Sequence, residues 1–175
     1  DPDDHWESAS TTGIGALVEL REQGVVKAIG AGMNQSEMLT QFVRATDVDV
    51  VMVAGRYSLL DQRAQDDLLP AAAERGVAVV DADIYNSGLL SRDSVPDTAK
   101  YDYADAPPEL IERARRIAAV CEAHGTTLPI AATQFPLRNP AVACVVIGLR
   151  NADQVRSAVE RLTASVPGDL WTDLA

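Results

Sequence analysis

Cysteine and histidine are scarce in this chain. Its 175 residues include two cysteines, Cys121 and Cys144, and two histidines, His5 and His124. No CxxC or Cys/His ligand spacing exists, which excludes a zinc or iron–sulfur centre of recognisable type. Two thiols are also too few for a disulfide-stapled secreted scaffold. Both cysteines fall in apolar runs and read as buried free thiols, suited to a reducing cytoplasm. No apolar run comes near the roughly 18 residues of a membrane-spanning helix. No signal-peptide pattern is visible. Basic residues are outnumbered, 15 Lys and Arg against 26 Asp and Glu, for a net charge of −11. The resulting field repels nucleic acid and anionic membranes, and neither is expected as a partner.

What is present looks like an ordinary globular protein, 47% hydrophobic and 23% charged. The length suits one domain over 1–175, yet falls short of the about 250 residues of a complete eight-stranded α/β barrel. The chain opens on Asp1-Pro2-Asp3-Asp4 without an initiator Met and stops at Leu170-Trp171-Thr172-Asp173-Leu174-Ala175. Both ends read as cut.

Four Val-rich runs stand out: Val25 to Ile29, Val48 to Val53, Val77 to Val80 and Ala143 to Ile147. They are continuous rather than alternating, as in parallel strands covered on both faces. They predict strands at 25–30, 48–53, 77–81 and 143–147. Helical periods lie between them. Ala16, Leu17 and Leu20 precede Gly24, and Met38, Leu39, Phe42 and Val43 follow Ser36, a candidate N-cap. Leu110, Ala114, Ile117 and Cys121 run from Pro107-Pro108 to Gly125, with Glu109–Arg113 and Glu112–Arg116 as candidate ion pairs outside. Val155, Ala158, Val159 and Leu162 form the last apolar stripe. This alternation predicts an α/β fold with right-handed crossovers, either an open doubly wound sheet or half of a closed barrel. The cut ends favour the half-barrel. The polar stretch from Ser91 to Pro108 is the one long connection, and such loops at strand carboxyl ends are usually functional.

Ligands in both architectures bind beyond those carboxyl ends. The positions read Gly30-Ala31-Gly32-Met33-Asn34, Ala54-Gly55-Arg56-Tyr57, Asp81-Ala82-Asp83 and Gly148-Leu149-Arg150-Asn151. Small residues admit a flat ligand close to the backbone, and an Asn amide both donates and accepts. Gly148 to Gln154 lead into a helix whose free N–H groups, with Arg150, would face a phosphate. Gly13-Ile14-Gly15 lacks the preceding strand and third glycine of a dinucleotide fingerprint and reads as a helix entry. His124 sits before Gly125 as a helix C-terminal residue, and His5 lies in an acidic segment. Neither is placed beside a nucleophile.

Several segments resemble the aldo/keto reductase family. They are Asp1-Pro2-Asp3, Leu20-Arg21-Glu22-Gln23-Gly24-Val25-Val26-Lys27-Ala28-Ile29-Gly30, Ala54-Gly55-Arg56-Tyr57-Ser58-Leu59-Leu60-Asp61, Tyr85-Asn86-Ser87-Gly88-Leu89-Leu90, Phe135-Pro136-Leu137-Arg138-Asn139-Pro140-Ala141-Val142 and Val146-Ile147-Gly148-Leu149-Arg150. Their order and spacing are similar to the carboxyl-terminal part of the branch containing aldose 1-dehydrogenases, L-fucose dehydrogenase and pyridoxal 4-dehydrogenase.

The resemblance implies strands five to eight of a (β/α)8 TIM barrel. It also implies an NAD- or NADP-dependent hydride transfer on an aldose or similar aldehyde or alcohol. The family's catalytic Asp, Tyr, Lys and His would all precede Asp1, so no catalytic residue is assigned and His5 is not the family histidine. Asn34 matches the residue that bonds the nicotinamide carboxamide. Gly148, Arg150 and Gln154 match the strip around the phosphates and adenosine, and Ser87, Gly88 and Leu89 match the pyrophosphate-side loop. The Ser91 to Pro108 loop, with Tyr101 and Tyr103, would wall the substrate pocket.

Met33, Ala54, Asp81-Ala82 and Ser157-Ala158 depart from common family residues around the cofactor, which leaves NAD or NADP open. Two other readings keep the same fold: a non-catalytic nicotinamide-binding or regulatory protein, and an independent half-barrel binding module. Alone, the chain is expected to be inactive and to self-associate or aggregate through its open sheet edges.

Overall fold

The computed structural model describes residues 5–174, so the Asp1-Pro2-Asp3 match lies outside the described residues. Helix α1 (Trp6–Ser8) runs through a π-helical turn, Ala9–Gly13, into α2 (Ile14–Glu22). Then come β1 (Gly30–Met33), α3 (Ser36–Ala45), β2 (Val50–Ala54), α4 (Leu68–Arg75) and β3 (Ala78–Ala82). A short hairpin of β4 (Lys100–Tyr101) and β5 (Ala104–Asp105) precedes α5 (Pro108–Ala123) and α6 (Leu128–Gln134). The chain closes with β6 (Val142–Val146), α7 (Ala152–Thr163) and α8 (Leu170–Asp173).

The main sheet has four strands in the order β1-β2-β3-β6, all parallel. Gly30 faces Val50, Val50 faces Ala78, and Val79 faces Val142. Gly30 is required by that approach, since a Cβ there would sit 1.7 Å from the Val50 carbonyl oxygen. The second, third and last strands fall within two residues of their predicted bounds.

The first does not. Gly24 takes φ +72°, the Gly24 N–H reaches the Arg21 carbonyl at 2.9 Å, and the Val25 N–H reaches the Leu20 carbonyl at 3.0 Å. These two bonds form a Schellman cap. They commit Val25 to ending α2, leave it 66% exposed, and delay the strand to Gly30.

Covering on both faces is also corrected. Val51, Val53 and Val79 are buried with Met38, Leu39, Phe42 and Val43 of α3 and Leu68, Leu69, Ala71 and Ala72 of α4. On the opposite face Met52 and Val146 are 40% and 45% exposed, and Cys144 is exposed rather than buried. A second core joins Leu59, Leu60, Leu89 and Leu90 of the loops to Ile111, Ala114 and Cys121 of α5, with α6 and α8.

Three smaller expectations change. Gln35, not Ser36, occupies the N-cap of α3, and the Ser36 hydroxyl is buried without a partner. On α5 the ion pair is Glu112 with Arg115, which also holds Asp97 at 2.6 Å, in place of the predicted i,i+4 pairs. Helix α7 buries no residue, and Val155, Val159 and Leu162 remain 46–56% exposed. Its inner contacts are polar, with Gln134 donating to the Arg161 and Ala164 carbonyls.

Candidate functional site

The carboxyl ends of the parallel strands open into two clefts. The larger, about 600 Å³, lies between the loops after β3 and β6. Ser87, Gly88, Gly148, Arg150 and Gln154 all line it. The smaller, about 230 Å³, is lined by Asn34, Ala54, Asp83, Ser87, Asp102 and Tyr103. Asp83 and Ser87 belong to both, so Asn34 sits at the far end of one continuous groove. Leu89 is placed differently. It is 1% exposed, packs in the second core, and its N–H is bound to the Asn86 carbonyl.

The loop after β3 is shaped by three consecutive demands. Asp83, Asn86 and Ser87 have φ of 51°, 46° and 57°, a region Asn and Asp tolerate better than most residues. Asp83 accepts the Ser87 N–H at 2.8 Å, which turns the chain back over β3. Burial pushes the Asp83 carboxyl above the usual carboxylate range, eased by that N–H. Asn86 donates to the Gly55 carbonyl at 3.1 Å and accepts from Ser58, locking this loop to the one after β2.

At the other wall, Asn151 caps α7 by accepting the Gln154 N–H at 2.9 Å, and Gln154 Oε1 accepts the Arg150 N–H at 2.7 Å. The pair closes the loop onto the first turn of α7, with the Gln154 side chain reaching the residue before the cap rather than the cap itself. It leaves the Ala152 and Asp153 N–H groups of the helix N-terminus unpaired within the helix, the arrangement that attracts phosphate. Arg92, Arg150 and Arg161 bring positive charge to the cleft against Asp83. Arg161 lies 5.7 Å over the Tyr85 ring and donates to its hydroxyl at 3.1 Å. Tyr85 bonds Thr133 at 2.8 Å in turn, so the arginine is held rather than free to swing.

Sequence reasoning missed Asn86, Arg92 and Arg161. Arg161 lies on α7 two turns beyond Gln154, and that helical spacing is the signal that could have found it. His5 is exposed, and His124 clasps α8, with Nε2 2.9 Å from Asp173 and Nδ1 3.5 Å from Asp169. Among the described residues no group of three or more His, Cys, Asp or Glu could hold a metal, and no helix is long and apolar enough to cross a membrane.

The aldo/keto reductase family model matches residues 1–170. The chain belongs to the aldo/keto reductase family. It is 43% identical to a D-threo-aldose 1-dehydrogenase from a Pseudomonas species over all of this chain and 54% of that protein. It is 42% identical to a pyridoxal 4-dehydrogenase from Microbacterium luteolum, over 97% of this chain and 50% of the relative. The chain thus spans about half the length of the curated relatives it matches. An aldo-keto reductase from Bacillus halodurans, in its holo form, superposes with a TM-score of 0.74 at 26% identity, over 93% of this chain and 55% of that one. The four parallel strands and their helices are therefore part of a (β/α)8 barrel, and the open doubly wound alternative falls. The concave face carrying Met52 and Val146 is the barrel interior, which explains its exposure here.

Proposed function

We propose that this chain is the cofactor-holding part of an NAD- or NADP-dependent oxidoreductase acting on an aldose or a related aldehyde or alcohol. The observation that carries the reading is the groove itself. It runs from the α7 N-terminus and Arg150, past Ser87 and Gly88, to the Asn34 amide. That order, cations and free N–H groups at one end and an amide at the other, fits a dinucleotide with phosphates near α7 and a carboxamide near Asn34.

When bound, the nicotinamide donates or accepts a hydride. The chain's own residues bind and orient. Arg150 and Arg161 would balance phosphate charge, Gly148 and Gly88 would allow close backbone approach, and the Asn34 amide would bond the carboxamide. None of the residues 1–175 matches the family's catalytic Asp, Tyr, Lys and His, so proton transfer is assigned to none of them. Relatives named for an aldose and for pyridoxal support a substrate of that class. The free thiols Cys121 and Cys144 support a cytoplasmic location.

Fluorescence titration of the whole protein with NADH and NADPH tests the reading. Arg150→Ala is expected to weaken binding by about ten- to a hundredfold, the value of a charge-assisted hydrogen bond, and Asn34→Ala by about three- to tenfold, that of a neutral one. Unchanged affinity in both variants refutes it.

A further inference from the structure

The groove is electrically polarised along its length. Its larger cleft is lined by Arg92, Arg150 and Arg161, whereas among the described residues no Lys, Arg or His lines the smaller cleft at the Asn34 end. Two carboxylates line that end instead, Asp83 and Asp102.

The two are not equivalent. Asp102 is neutralised by Arg56, which makes a bidentate contact to it at 3.0 and 2.8 Å and also donates to the Gly55 carbonyl at 3.2 Å. Arg56 favours the Asp83 charge from a distance, but its guanidinium is committed to Asp102. Among the described residues Asp83 has no ion-pair partner of its own.

The Asp83 carboxylate is also fixed in position. One oxygen accepts the Ser87 N–H at 2.8 Å, and the Asp83 carbonyl accepts the Asn86 N–H at 2.9 Å. The other carboxylate oxygen accepts no hydrogen bond among the described residues. It lies against Gly55, 3.2 Å from where a Cβ would stand, next to the cleft-lining Ala54. Burial and the Asp102 charge both disfavour the ionised Asp83 carboxyl, so a cation in the cleft would relieve both.

We infer that Asp83 selects the redox state of the bound dinucleotide, its free carboxylate oxygen favouring the oxidised, cationic nicotinamide over the reduced, neutral one. The inference rests on the nicotinamide reading above, which sets that ring at the Asn34 end. Oxidised nicotinamide carries one positive charge. A hydride from the substrate carbon, a proton with two electrons, cancels that charge, and the substrate hydroxyl releases its own proton separately. Only the oxidised form therefore gains Coulomb energy from Asp83. The phosphates are the same in both forms, so Arg150 and Arg161 do not discriminate. The groove thus loads the oxidised form from a mixture and releases the reduced one.

Calorimetric titration of the whole protein with NAD+, NADH, NADP+ and NADPH tests this, with ADP-ribose and its 2′-phosphate as controls that lack the ring. Asp83→Asn keeps the size, the acceptor for the Ser87 N–H and a residue that tolerates positive φ, and it removes the charge. It is expected to weaken the oxidised form about tenfold and to change the reduced form less than about twofold. Asp83→Gly suits the same φ and is expected to move the affinity ratio in the same direction. The ring-free controls are expected to bind all three proteins alike.

An unchanged ratio of oxidised to reduced affinity in both variants overturns the inference. Equal loss of both forms, with or without loss of the ring-free controls, makes Asp83 a hydrogen-bonding or structural residue and overturns it too. A parent that binds no dinucleotide refutes the nicotinamide reading, and the inference falls with it. A parent that binds both forms, with a ratio that neither variant moves, refutes the inference alone.

Discussion

The Ser58 hydroxyl and the Asn86 side-chain oxygen share a buried hydrogen bond that ties the loop after β2 to the loop after β3. The same hydroxyl accepts the N–H groups of Leu60 and Asp61 at 3.1 Å each. Asn86 completes the bridge by donating to the Gly55 carbonyl. Gly55 has φ +68°, and a Cβ there would press to 3.2 Å from an Asp83 carboxyl oxygen. Two loops that line the groove are therefore one structural unit.

Asn86→Ala is expected to destabilise the protein by about 2–4 kcal/mol, because it strands the buried Ser58 hydroxyl and Gly55 carbonyl and leaves Ala in a left-handed backbone. Asn86→Gly should cost less than Asn86→Ala by about 1 kcal/mol, since glycine removes the backbone part of the penalty. Urea unfolding of the whole protein measures both, and equal losses would show that backbone conformation contributes nothing.

Asp81 supplies a pH test. Its carboxyl is fully buried with neither oxygen hydrogen-bonded, and burial, reinforced by Asp83, pushes its pKa from 3.8 up to about 8. A carboxyl whose pKa is raised on folding favours the folded state below the unfolded pKa, and that contribution is lost as pH rises toward the folded value. Stability is expected to decline between about pH 4 and pH 8, by up to about 1.4 kcal/mol per pH unit. Asp81→Asn should flatten this slope. Thermal melts at pH 5, 7 and 9 check it, and a parent no less stable at pH 9 than at pH 5 would contradict it.

Gln154 has two assignments that mutation can separate. Its Oε1 accepts the Arg150 N–H just before the cap of α7. Gln154→Ala is expected to cost about 1 kcal/mol by loss of that hydrogen bond, while the Asn151 cap on its backbone N–H stays. Gln154→Glu retains an acceptor and favours the helix N-terminus, but it sets a negative charge beside the proposed phosphate strip. It is expected to melt no lower than the parent while binding NADH or NADPH about tenfold more weakly. Parent-like affinity in Gln154→Glu would remove the residue from the cofactor site.

The open concave face predicts how the isolated 175-residue chain behaves. Cys144 on β6 is exposed, whereas Cys121 is buried, its thiol pushed up to about 11 by burial. In the isolated chain Cys144 is expected to react rapidly with a thiol reagent and Cys121 only on unfolding. Where further strands close the barrel over β6, Cys144 should be protected as well. The isolated chain is also expected to sediment as a dimer or larger and to show no turnover with NAD(P)(H) and an aldose, since among the described residues its edges β1 and β6 are unpaired on their outer sides. A compact active monomer would contradict both expectations.

Local pattern determined the alternation of parallel strands and helices, three of the four strands, the apolar faces of α3 and α5, and the small residues after the strand ends. Those features depend on neighbours in sequence: valine runs, helical spacing, and small residues after strand ends. The seven proposed cofactor residues, five of which line one cleft, came instead from the family resemblance. Other decisions belonged to tertiary structure. Val25 has the composition of a strand residue, but Gly24 turned it into a helix cap. Leu89 and Gly88 are adjacent, yet the loop folds one into the core and the other onto the cleft. Asn86 draws its partners from 28 and 31 residues away, and Arg56 reaches Asp102 across 46. Contacts at that separation leave no periodic trace in a sequence. They exist only once the parallel sheet has brought the strand ends, and the loops that leave them, to one rim.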